Sequence, residues 1–160
     1  MEQRQGRVAL LPYCEFTLKA EKPTNYPKQL RSVGDHLKKR RLDLGLRQKD
    51  VAAQMKVSEA TVRGWENDKS SPSVRYIPRI IAFLGYDPYP KPQSLGEEIA
   101  AARRRLGLSR KRLAKELEID EMTLAQWESC TRFPKKRHEQ IIRQFLASVY
   151  IQPRRSVKRW

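Results

Sequence analysis

The chain has 160 residues and a formal net charge of +16 at pH 7, which favours a polyanionic partner and allows one ordinary domain or two small ones. Its two cysteines, Cys14 and Cys130, are far apart and its histidines are isolated, so the sequence offers no metal-ligand spacing and predicts no cofactor. No apolar run reaches the ~18 residues of a membrane span and the N-terminus has no secretory pattern, so we expect a cytoplasmic protein with reduced thiols.

Residues 1–29 contain three prolines and lack helical periodicity. One stretch, residues 13–19, alternates as a short strand would, but it has no partner strand. We therefore predict an extended or partly disordered N-terminal arm.

The region 30–86 has the periodicity of several short helices. Apolar residues at helical spacing, with Ser32 as N-cap, predict a first helix that ends at Gly45. A second helix is predicted over 48–55 and a third after Ser58, because apolar residues recur there every three or four positions. Residues 67–73 have the composition of a loop. The last helix should begin near Pro78, since proline is tolerated in a first turn.

Residues 87–93 contain three prolines and are predicted to form a semi-rigid linker. The region 94–150 then repeats the helical order. Its predicted helices are 95–106 (ended by Gly107), 111–117, 120–128 and about 136–150. A basic C-terminal tail is predicted over 151–160.

The two regions are copies of one pattern. Sliding the sequence by 62 residues aligns them without a gap, so that LRQKDVAAQMKVSEATVRGWE (46–66) lies over LSRKRLAKELEIDEMTLAQWE (108–128). In both copies two short helices flank a tight turn, which is the layout of a helix-turn-helix. Two copies and a linker indicate a tandem of domains rather than a solenoid.

In these residues the chain resembles the Xre/Cro family of phage-repressor-like helix-turn-helix regulators. The matching signature is the first helix ended by Gly45, Gln48 at the start of the second helix, Ala52 in its middle, and Ser-x-x-Thr-Val-x-x-Trp-Glu over 58–66. The resemblance covers about 30–86 and 94–148. It implies an all-α fold of two tandem lambda-repressor-like helix-turn-helix domains, with four to five short helices each.

The family places the third helix of the domain in the major groove, with its N-terminal half against base edges. Arg63 can pair with guanine or reach a phosphate, whereas the carboxylates that open both third helices suit either a base contact or the helix dipole. By resemblance, the base-contacting candidates are Glu59, Ala60, Arg63 and Gly64 in the first domain, and Glu121, Met122, Ala125 and Gln126 in the second.

Phosphate contacts are expected at the start of the second helix and after the third helix of each domain. Helix N-terminal amides add an anion-binding site at the first of these places. The candidates are Arg47, Gln48, Lys49, Lys69, Ser70 and Ser71 in the first domain, and Ser109, Arg110, Lys111, Thr131 and Arg132 in the second.

Other matching residues are predicted to be structural. Trp65 and Trp127 fall on the inward face of the third helices, so we expect them in the core rather than as stacking platforms. By resemblance, Arg41 with Glu66 and Arg103 with Glu128 form ion pairs that link the first helix to the third.

The sequence also departs from the family. Lys56 and Glu118 stand in the turn where the family usually has glycine, and a positive φ there would introduce strain of order 1 kcal/mol. Arg110 replaces the glutamine of the second helix. An acidic edge is expected around the second recognition helix, where it should repel phosphates: Glu116, Glu118, Asp120, Glu121 and Glu128.

These features predict sequence-specific binding of double-stranded DNA by a transcriptional regulator associated with the nucleoid. No cluster of carboxylates, nucleophile with base, or metal ligands points to an enzyme. The alternative is an antitoxin-like or other protein-interaction module, in which the second domain forms a homodimer or binds a protein partner.

Overall fold

The computed structural model describes residues 25–151. The predictions for residues 1–24, including the short strand and Cys14, and for the basic tail from 152 onward lie outside this range. Within it the chain contains helices and loops and no strand, which confirms the predicted all-α class. No helix in the described range is long and apolar enough to cross a bilayer.

Within residues 25–151, four α-helices and one 3₁₀ helix precede residue 87, and four α-helices follow it. The first set is α1 (Val33–Asp43), α2 (Gln48–Met55), α3 (Glu59–Glu66), the 3₁₀ helix Val74–Tyr76 and α4 (Ile77–Leu84). The second set is α5 (Leu95–Leu106), α6 (Arg110–Glu116), α7 (Glu121–Glu128) and α8 (Lys136–Ile151). We call residues 33–84 the first unit and residues 95–151 the second unit.

Polar N-caps place the helix starts. Ser32 accepts from the Asp35 amide at 3.1 Å while the Asp35 carboxylate accepts from the Ser32 amide at 3.1 Å, so two N-terminal amides of α1 are satisfied reciprocally. Ser58 accepts from the amide of Thr61 at the start of α3. In the second unit the same position is Asp120, which caps α7.

Each unit has its own apolar core, and the two cores use equivalent positions. The first contains Leu37, Val51, Ala52, Met55, Val62, Trp65, Ile77, Ile80 and Leu84. Every one of these except Ile77 has its counterpart 62 residues later in the second core, which contains Ile99, Ala102, Leu113, Ala114, Leu117, Leu124, Trp127, Ile142 and Leu146. The sequence offset is therefore also a three-dimensional correspondence. As predicted, Trp65 and Trp127 are buried.

A close approach between helices explains the glycine near the start of each first helix. A Cβ on Gly34 would lie 1.9 Å from the carbonyl oxygen of Trp65, and a Cβ on Gly96 would lie 1.9 Å from that of Trp127. Any larger residue would push α1 away from α3, or α5 away from α7.

The helix-turn-helix turns have left-handed backbone at residues other than glycine. Lys56 has φ 56° and Glu118 has φ 54°, so both turn residues adopt the conformation for which the strain was expected. Asp68 and Cys130, also equivalent to each other, have φ 54° and 56° just after α3 and α7. The two units therefore share their strained positions as well as their cores.

Candidate nucleic-acid interface

Helix α3 buries one face and exposes the other. Val62 and Trp65 are buried in the first core, whereas Glu59, Ala60 and Arg63 are exposed. The Arg63 side chain makes no ion pair or hydrogen bond within the described residues 25–151. Three of the four predicted base-contacting residues of this unit thus lie together on one solvent-facing surface.

The fourth, Gly64, is half-buried because the loop after α3 folds back on it. A Cβ at this position would lie 3.0 Å from Ser70 Oγ. The Gly64 carbonyl accepts from the amides of Lys69, at 2.9 Å, and Ser70, at 3.4 Å. These contacts hold the loop against the C-terminal half of α3. Gly64 therefore offers a base only its backbone, while the phosphate candidates Lys69, Ser70 and Ser71 are exposed.

A buried carboxylate fixes the orientation of α3. Arg41 Nε donates to Glu66 Oε1 at 2.6 Å and Arg41 Nη2 donates to Glu66 Oε2 at 2.8 Å. The side chains of Arg41 and Glu66 are 9% and 1% exposed. Arg41 Nη1 also donates to the Leu46 carbonyl at 3.1 Å. One guanidinium therefore ties α1, the chain before α2 and the end of α3 together with bidentate geometry.

Gln48 belongs to the same network. Its Nε2 donates to Glu66 Oε2 at 2.9 Å, so the amide nitrogen that was expected to approach a phosphate is directed at the buried carboxylate. Its neighbours Arg47 and Lys49 remain exposed, and the Arg47 side chain is 74% exposed. At the start of α2, these two cations are the side chains directed to solvent.

The sequence interpretation missed Asp50, which lies at the third position of α2. Its Oδ2 accepts from the Arg47 amide at 2.9 Å. This backbone hydrogen bond is the main reason that the pKa of Asp50 lies below its ordinary value. The Asp50 carboxylate therefore holds the backbone of Arg47 in place at the start of α2. The available signal was an acidic residue at the third position of a predicted helix.

The second unit repeats the buried network with one more cation. Arg103 Nε donates to Glu128 Oε1 at 2.5 Å, Arg103 Nη2 donates to Glu128 Oε2 at 2.9 Å, and Arg110 Nε donates to Glu128 Oε2 at 2.7 Å. Burial raises the pKa of Glu128, but the hydrogen bonds from Arg103 and Arg110 lower it more, so the pKa lies below its ordinary value.

This geometry corrects one expectation. The Glu128 side chain is 3% exposed and paired with two arginines, so its assignment to the acidic edge was wrong. Arg110, whose side chain is 52% exposed, presents only part of its guanidinium to solvent. The acidic residues that do lie on this surface are Glu116, Glu118, Asp120 and Glu121. The Asp120 carboxylate accepts hydrogen bonds from the amides of Met122 and Thr123.

The outer face of α7 is more apolar than that of α3. Met122 is 66% exposed and Glu121 is exposed, while Ala125 and Gln126 are half-buried. Phe133, in the loop that follows α7, is 76% exposed and occupies the position equivalent to Ser71.

The remaining candidates of the second unit lie around the ends of α6 and α7. Ser109 caps α6 by accepting from the amide of Arg112 at 3.2 Å. The Thr131 hydroxyl lies 2.8 Å from that of Ser129. Lys111 and Arg132 are exposed, as are two cations of α6 that the sequence interpretation omitted, Arg112 and Lys115.

Comparison with known proteins gives one match. Residues 37–90 match the helix-turn-helix family model, a segment that begins within α1 and includes α2, α3 and α4. The match covers about a third of the chain and does not reach the second unit. Searches of curated proteins and of solved structures returned no match. In the part of the chain that the structure describes, no group of three His, Cys, Asp or Glu side chains is arranged to hold a metal ion.

Proposed function

We propose that this chain is a sequence-specific, double-stranded DNA-binding transcriptional regulator that inserts α3 into the major groove. The observation that carries the proposal is the exposed face of α3, which the buried Arg41–Glu66 pair fixes within a segment that matches the helix-turn-helix family. A rigidly held helix with exposed polar groups at its N-terminal half is what direct reading of base edges requires.

The side chains on this face have complementary base chemistry. A guanidinium such as that of Arg63 can donate to guanine O6 and N7, and the Ala60 methyl can contact the methyl of thymine. Glu59 can accept from a cytosine amino group or remain a first-turn carboxylate that favours the helix dipole.

Phosphate contacts would set the register of α3 on the duplex. Arg47 and Lys49 lie at the start of α2, and Lys69 lies after α3, so cations flank the recognition helix on both sides along the chain. Each contact that neutralises a phosphate should steepen the salt dependence of binding by about 0.9 in log–log slope.

The second unit supports two roles. As a reader, it would present Gln126 to adenine and Met122 to a thymine methyl, with Lys111 and Arg132 near phosphates. The second candidate, protein binding or self-association through α7, is favoured by the exposed apolar side chains of Met122 and Phe133.

Selection of bound sites from random duplex DNA, with the full chain, tests the proposal. We expect the wild-type chain to enrich one DNA element. In Arg63→Ala the base preference should relax at one position of that element. The control Lys91→Ala, which changes an exposed lysine of the linker, should leave the preference unchanged. Recovery of no preferred element would refute the proposed function.

Self-association separates the two roles of the second unit. If α7 binds protein, Met122→Ser/Phe133→Ser should abolish dimerisation in sedimentation experiments and leave the selected DNA element unchanged. If α7 reads DNA, the same variant should alter base preference in one part of the element.

A further inference from the structure

The two units are docked on each other. Helix α4 and the 3₁₀ helix pack on α5, and Gly107, which follows the last residue of α5, lies against Pro78. A Cβ on Gly107 would lie 3.0 Å from Pro78 Cγ and 3.5 Å from Arg75 Cα, and Gly107 has φ 69°. Both the absent side chain and the left-handed backbone let the end of α5 contact the start of α4.

Residues of the linker contact the second unit at the same interface. The Arg104 guanidinium carbon lies 4.5 Å from the centre of the Tyr89 ring, and Arg105 Nε lies 3.6 Å from Asp87 Oδ2. Tyr89 also packs against the first core. Residues of the linker therefore connect to the first core on one side and to α5 on the other.

Equivalent residues of the two units differ along α5, the helix on which α4 packs. Ala100 and Ala101 are 8% and 7% exposed although neither belongs to the second core. Their counterparts in α1 are Lys38 and Lys39, both half-exposed. At these two positions, small apolar residues therefore occur only in α5, the first helix that packs on the other unit.

Helix α4, on the other side of the interface, also differs from its counterpart, α8. Pro78 of α4 is partly buried and lies against Gly107, whereas its counterpart in α8, Gln140, is exposed and polar. The last helix of the first unit is therefore suited to pack on another unit, and the last helix of the second unit is not. The contact between the units is therefore heterologous, and because α8 lacks the surface that α4 uses, a third unit could not be added in the same way.

We propose that this interface holds α3 and α7 at one fixed separation and orientation, so that the chain binds a bipartite DNA element with a single permitted spacing. The proposal rests on the proposed DNA-binding function. A rigidly linked second contact raises overall affinity by 10²–10⁴-fold when geometry permits both contacts, and the gain is lost when geometry forbids it. Since the duplex turns once in ~10–10.5 bp, five inserted base pairs place the second half-element on the opposite face.

The first test measures affinity on variants of the selected element. We expect insertion of five base pairs between its halves to weaken binding on the order of 10²-fold, and scrambling of either half to weaken it to a similar extent. Affinity that is indifferent to the insertion, or a preferred element with one half only, would overturn the inference and leave DNA binding by the first unit intact.

The second test disrupts the interface by giving α5 the residues that α1 has at the equivalent positions. Ala100→Lys/Ala101→Lys gives α5 the lysines of α1, so the core of the second unit should remain folded, as circular dichroism would verify. We expect this variant to bind the natural spacing at least ~10-fold more weakly and to lose the penalty for five inserted base pairs. The matched control is Ala82→Lys/Ala147→Lys, which adds the same charge at exposed alanines and should keep the wild-type spacing requirement.

A third measurement needs no DNA. In ¹⁵N relaxation, both units of the wild-type chain should report one rotational correlation time, and those of Ala100→Lys/Ala101→Lys should report two shorter ones. Independent tumbling in the wild-type chain would overturn the inference even if DNA binding is demonstrated. Absence of any preferred duplex would instead refute the proposed function itself.

Discussion

Arg110 donates to Glu128 at 2.7 Å, in the position where the first unit has Gln48 donating to Glu66 at 2.9 Å. In both units, therefore, the first residue of the second helix contacts the buried carboxylate that ends the third helix. A side chain whose place in the sequence suggests a phosphate contact instead helps to position the helix that would read bases.

This contact separates two classes of variant in the first unit. Gln48→Ala should lower the free energy of unfolding by about 1–2 kcal/mol, because Glu66 Oε2 loses a donor in a buried site. Arg47→Ala and Lys49→Ala should leave stability within about 0.5 kcal/mol. Each should instead reduce the log–log salt slope of DNA binding by about 0.9. Urea denaturation and salt titrations provide the readouts, and a stability loss in Arg47→Ala equal to that in Gln48→Ala would contradict the assignment.

The buried ion pair of the first unit should be strongly coupled to folding. Arg41→Met leaves the Glu66 carboxylate, 1% exposed, without its main partner and should destabilise the protein by about 3–5 kcal/mol. Lys39→Ala is the comparison, since it removes an exposed ion pair with Asp43 that is worth at most about 1 kcal/mol. Further replacement of Glu66 by Leu in Arg41→Met should recover stability. If the double variant is no more stable than Arg41→Met, the orphaned charge is not the cause.

Glu128 predicts a pH dependence of stability. Its pKa in the folded protein lies below the ordinary value of 4.5, so the charged form stabilises the fold above about pH 4.5. This contribution is lost as the pH falls through the folded-state pKa. Unfolding measured from pH 3 to 6 should show a shallower acid dependence for Glu128→Gln than for wild type. Arg110→Ala removes one of the two arginines that lower the pKa, so its acid-linked loss of stability should be smaller than that of wild type and should be complete at a higher pH.

The two helix-turn-helix turns can be relieved of strain. Lys56→Gly and Glu118→Gly should each raise the free energy of unfolding by up to about 1 kcal/mol, because glycine adopts a positive φ without a Cβ clash. Gln54→Gly, at an exposed position within α2, should lower it by about 1 kcal/mol. Thermal unfolding distinguishes the signs, and a destabilised Lys56→Gly would show that its side chain makes a larger contribution than the backbone strain.

The order of the helices, their caps and the two cores follow from the amino-acid sequence. Ser32, Ser58 and Gly107 act on the backbone within a few residues of themselves, so their consequences can be derived locally. The apolar positions could be identified because the copies repeat them at one offset, as Leu37 and Ile99 illustrate. The exposed base-contacting candidates of α3 follow from the same periodicity, since the residues between buried positions must face outward.

Long-range packing, by contrast, set the contacts of Gln48 and Arg110 and the way in which the units meet. The hydrogen bonds of Gln48 to Glu66 and of Arg110 to Glu128 each join residues 18 apart in sequence, so neither is set by helical periodicity. In the sequence, Ala100 and Ala101 of α5 are ordinary helix formers, and their burial is evident only once the other helices have packed on α5. Burial of a side chain depends on everything that surrounds it, and that surrounding is fixed only when distant segments have packed.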